Sequence, residues 1–177
     1  MTWEARKDFR LIETSYGYLY ILSMEPDPVF EIAVIASRIR PKVCGSTDLV
    51  SLRRRVVFYG LARYSEEDVV FEDKKASDKV KAFLRIHKIG KDRVYGFRQA
   101  HPNVSNRGYL CPGTIGRRDP AWPPEVLVKH LTSLLSLLSV PTFDSTLDSY
   151  GCKAYKALRM HLPARAERCL AGKCGGR

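Results

Sequence analysis

The chain changes its periodicity once, and that change limits what it can fold into. From Tyr16 to Gln99, apolar residues come in short runs rich in Val, Ile, Phe and Tyr, broken by turn formers such as Glu25-Pro-Asp-Pro28. Strands joined by turns read this way. Beyond Glu125 the spacing becomes helical. Leu127, Leu131, Leu134, Leu135 and Leu138 fall on one side, with Lys129, His130, Ser133 and Ser136 elsewhere. A stretch dense in Pro, Gly and Asn, from Ala100 to Pro124, separates the two regimes. Strands grouped before helices predict an α+β fold.

In more detail, residues 2–13 read as an amphipathic helix with Thr2 as N-cap. Trp3, Phe9 and Ile12 form its apolar side; Arg6, Lys7 and Arg10 form the basic one. Strands are expected over 16–24, 29–40, 53–64, 83–89 and 93–99. The polar, charged stretch 65–81 holds Ser77 as the cap of a short helix. Pro123-Pro124 suits the first turn of a helix over 125–139. A last helix is expected over 153–162, stopped by Pro163. The plan is therefore an N-terminal helix, an antiparallel β-meander, a loop and C-terminal helices. One domain is expected over 1–162, and a flexible basic tail over 163–177.

Lys and Arg number 30 against 19 Asp and Glu, a net charge of +11. From Lys153 to Arg177 there are seven basic residues and one acidic, so more than half of the excess sits at the C-terminal end. An excess of this kind suits nucleic acid or an acidic protein partner. Tyr155 is the sole aromatic interleaved with it, so nucleic acid is the minor reading. No apolar run is long enough to cross a membrane, and residues 1–13 lack an apolar signal core. The reading is of a cytoplasmic protein. Only three side-chain amides occur, Gln99, Asn103 and Asn106, a depletion found in thermophile proteins. In a cytoplasm the five cysteines are expected as free thiols, with Cys169 and Cys174 near enough in sequence to pair or share a metal. No second ligand pair lies nearby, so no metal site is expected.

The residues with the most chemistry are His101-Pro102-Asn103, then Gly108, then Cys111. Downstream come Trp122 with Pro124, the Leu-rich helix, and a Pro- and Asp-containing loop over 141–147. In this order the features resemble the signature of ubiquitin-conjugating enzymes, over about a third of the chain. The Tyr-Pro-x-x-Pro-Pro segment of that family is missing, and residues 65–92 are longer and more charged than its members have. The resemblance is to a divergent or prokaryotic relative.

The resemblance implies a transferase. Cys111 would accept a ubiquitin-like modifier from an activating enzyme as a thioester and pass it to a lysine amine. Asn103 would stabilise the oxyanion of transfer or hold the loop that shapes the site. His101 and Pro102 would be structural, and Asp144 would orient the amine, with Ser145 as the rival at that register. Arg6, Lys7 and Arg10 would dock an acidic activating enzyme, and a RING-type ligase is a further partner the family admits. The chemistry needs no metal and no bound cofactor, since a thiolate is itself the nucleophile. Two other readings compete: a catalytically inactive protein-binding module with this fold, and a basic nucleic-acid-binding protein.

Overall fold

A computed structural model describes residues 11–23, 28–42, 45, 48–66, 68–110, 119, 121–143 and 151–174. Five strands form an antiparallel meander in chain order: β1 (Leu11–Thr14), β2 (Gly17–Ser23), β3 (Val29–Ile39), β4 (Val50–Ser65) and β5 (Asp68–Glu72). A sixth, β6 (Val94–Gly96), runs parallel to β4 along Val57–Tyr59. β4 is long enough to pair with β3 on one edge and with both β5 and β6 on the other.

The sheet is covered on both faces, which explains why β3 is apolar at nearly every position rather than at alternate ones. Phe30, Ile32, Val34 and Ala36 face the main core, with Val56, Phe58, Ala62 and Tyr64 of β4. This core is closed by α2 (Phe97–Ala100), α3 (Pro124–Leu138), α4 (Cys152–Leu158) and α5 (Ala164–Cys174). On the opposite face, Tyr18, Ala33, Val57 and Tyr59 pack under α1 (Asp78–Ile86), which contributes Val80, Phe83 and Leu84. Ser77 caps α1, its Oγ accepting from the Val80 backbone N–H. The same hydroxyl donates to Glu31, a carboxylate only 1% exposed. Tyr18 Oη donates to Glu31 at 2.5 Å and Lys74 Nζ at 2.7 Å. Burial pushes the Glu31 carboxyl up. The bonds from Lys74, Ser77 and Tyr18 outweigh that and hold it below the usual range.

Several expectations are corrected. The helix over 2–13 does not reach its end as a helix. Leu11–Thr14 is a strand paired with Gly17–Tyr20, and residues 1–10 lie outside the described residues. Gly17 lets the start of β2 lie this close to β3, because a Cβ there would stand 2.2 Å from the Ala33 carbonyl oxygen. Residues 83–89 are not a strand. Phe83 and Leu84 belong to α1, where Val80, Phe83 and Leu84 share one face and Ile86 points to solvent at 71% exposure. β5 lies inside the stretch read as polar, and the strand expected over 93–99 stops at Gly96, where α2 begins. Residues 164–174, expected as part of a flexible tail, form α5, with Ala166 and Leu170 in the main core. Cys174 pairs with Cys152 rather than with Cys169, which is a free thiol.

Candidate functional site

The His-Pro-Asn turn follows α2 directly and is built into the main core. His101 is fully buried, its ring 4.7 Å from that of Phe58. The Asn103 backbone N–H donates to His101 Nδ1 at 3.2 Å, and Nε2 lies 2.9 Å from the Leu138 carbonyl. These partners require the neutral tautomer with its proton on Nε2. Burial lowers the His101 pKa to about 4, the nearby Lys153 charge adds to this, and the Leu138 bond partly opposes it. His101 is therefore a structural strut between α2 and the end of α3, not a proton carrier near neutrality. Pro102, also buried, makes the turn.

Asn103 uses its side-chain amide as a two-pronged clamp. Nδ2 donates to the Thr142 carbonyl at 2.9 Å, and the Thr142 N–H donates to Oδ1 at 3.0 Å. The other side of this segment is fastened to the end of β3: Arg40 N–H donates to Pro141 O, and Phe143 N–H to Arg40 O, both at 2.9 Å. Residues 141–143 thus lie between β3 and Asn103, with Thr142 bridged to Arg40 and Phe143 buried.

Past Asn103 the chain makes a tight hairpin. Val104 pairs with Leu110, Ser105 N–H donates to Tyr109 O, and Gly108 turns with φ +93°. Gly108 is required twice over, since a Cβ there would lie 2.2 Å from Phe71 O. The hairpin is pinned to β5 by Leu110 N–H to Val69 O at 3.1 Å and Phe71 N–H to Gly108 O at 2.8 Å. The Arg98 guanidinium forks onto Asn106 O at 3.0 and 2.8 Å, and Lys153 Nζ donates to Val104 O. The Trp122 ring meets His130 edge-on at 5.0 Å, and Tyr64 Oη lies 2.6 Å from His130 Nδ1.

Of the residues named from sequence, His101, Pro102 and Asn103 come together in this frame. Cys111 and Asp144, with Ser145, lie outside the described residues, as do Arg6, Lys7 and Arg10. The frame ends at Leu110 on one side and at Phe143 on the other. Thr142 and Lys153 are parts that sequence reasoning missed. The Thr142 contacts are made through its backbone, which leaves no trace in residue type. Lys153 looks like one more charge of a basic tail. Among the described residues no three His, Cys, Asp or Glu side chains gather as metal ligands would. Compared with protein-family models, with curated proteins and with solved structures, the chain matches none.

Proposed function

We propose that the protein is a conjugating enzyme that carries a ubiquitin-like modifier as a thioester on Cys111 and transfers it to a lysine amine. The observation that carries this reading is the Asn103 clamp on Thr142, together with the Val104–Leu110 pairing. One short turn fastens the two segments that lead into positions 111 and 144, so a nucleophile and a carboxylate on them would start from a common support. The order of His-Pro-Asn, Gly, Cys, Trp-x-Pro and Leu-rich helix supports it independently.

In this mechanism the Cys111 thiolate takes the modifier's acyl group from a thioester on the activating enzyme, which leaves as a thiol. A lysine amine then attacks the new thioester and the Cys111 thiolate departs. Asp144 orients the amine. Asn103 is a positioning residue, because both ends of its amide are engaged by Thr142. Arg6, Lys7 and Arg10 offer positive charge to an acidic activating enzyme, a role resting on charge alone.

The test is incubation with a ubiquitin-like modifier, its activating enzyme and ATP, followed by gels with and without reductant. A reductant-sensitive adduct is expected, lost in Cys111→Ala and reductant-resistant in Cys111→Ser. An adduct that survives Cys111→Ala overturns the assignment. Asn103→Ala is expected to slow loading and discharge alike, since it frees the loop; slowing of discharge alone would make the side chain an oxyanion donor instead.

A further inference from the structure

A cleft of about 420 Å³ opens where the β1–β2 turn, the far part of β3, β4 and the C-terminal ends of α1 and α3 meet. That volume is in the range of small-molecule sites. A defect in strand pairing shapes it. Between Ala36↔Val56 and Arg38↔Ser51, Ser37 alone stands opposite residues 52–55 of β4. The longer side must swell outwards, and a bulge of this kind re-aims side chains. Arg53, Arg54 and Arg55 are all exposed as a result.

The lining is basic. Arg38, Arg55 and His87 face the cleft along with the hydroxyl-bearing Ser15, Ser37 and Tyr16, and among the described residues no carboxylate does. The Arg38 side chain makes no hydrogen bond or ion pair with another described residue. Arg55 is held in place: its Nη2 donates to His87 O at 2.6 Å, and its own carbonyl accepts from Arg93 Nη1 at 3.3 Å. That leaves an oriented guanidinium with donors to spare. The ends of α1 and α3 oppose an anion, each carrying roughly half a negative charge. Two full guanidinium charges outweigh them, and Arg55 already satisfies a carbonyl at the end of α1.

We propose that this cleft binds a small phosphorylated molecule, its phosphate held between Arg38 and Arg55 and its organic part lying against Tyr16 and Ile35. A guanidinium fork matches phosphate oxygens in geometry as well as charge. The proposal does not rest on the conjugating activity.

Titration calorimetry with inorganic pyrophosphate tests it. Saturable binding is expected in the intact protein, with roughly ten-fold or greater loss in Arg38→Ala and in Arg55→Ala. Arg165→Ala removes the same charge from the exposed side of α5 and is expected to bind as the parent does. Circular dichroism checks the fold of each variant. If Arg55→Ala unfolds, Arg38→Ala decides, because its side chain is exposed and makes no bond to another described residue. No saturable binding, or equal affinity in Arg38→Ala and the parent, overturns the proposal.

Discussion

His101 holds its place through a ring that must stay neutral, and this makes it a source of acid sensitivity. Its pKa is about 4 in the folded protein, against 6.5 for a free imidazole. Between those values the unfolded chain binds a proton that the folded one refuses, so protonation favours unfolding. The stability is fully present above about pH 6.5 and is lost as the pH falls towards 4, about 3 kcal/mol for a shift of this size. Burial lowers the His161 pKa too, and the sign is the same there. Urea denaturation at pH 7 and pH 5 is expected to show a clear loss for the parent protein and a smaller one for His101→Gln. Equal losses in the two proteins would remove His101 as the cause. Its bonds were visible in the sequence only as a His placed before Pro-Asn; that one of them ends on Leu138, 37 residues away, was not.

At the scale of elements, the last two helices of the chain are joined covalently. Cys152 opens α4 and Cys174 closes α5, with Cα atoms 5.3 Å apart across 22 residues of sequence. Closing a loop of that length restrains the unfolded chain by about 3 kcal/mol in the chain-entropy account. Cys174→Ser is therefore expected to lower the free energy of unfolding by about this much. Cys169→Ser, at the free thiol, is expected to change it little. If adding a dithiol reductant to the parent leaves the urea midpoint unmoved, the bridge contributes nothing. α1 shows the other kind of anchoring. Its cap, Ser77, was legible from sequence, while the buried Glu31 that receives the Ser77 hydroxyl lies 46 residues away on β3.

For the whole molecule, the question is whether the C-terminal residues belong to the same cooperative unit as the sheet. Leu162, Ala166 and Leu170 share one core cluster with Phe58 of β4 and Leu131 of α3. Leu170 is wholly buried. Leu170→Ala is expected to cost about 2–5 kcal/mol, the usual range for a buried leucine. A frayed tail would lose almost nothing, so an unchanged thermal midpoint would detach α5 from the fold. No helix among the described residues is long and apolar enough to cross a membrane.

Local pattern carried much of this. The strands around 16–24, 29–40 and 53–64, the Leu-rich helix and the Ser77 cap all follow from periodicity and capping, which neighbours in sequence decide by themselves. So does the grouping of His101, Pro102 and Asn103, which are adjacent. Tertiary structure decided what depended on distant partners. Residues 11–14 became a strand because β2 offered an edge, and 164–174 became a helix because the core had room for Ala166 and Leu170. It also decided that Asn103 would bind Thr142, 39 residues away, through backbone groups that every residue possesses. Contacts made by the backbone, and surfaces buried only after folding, leave no signature in residue order.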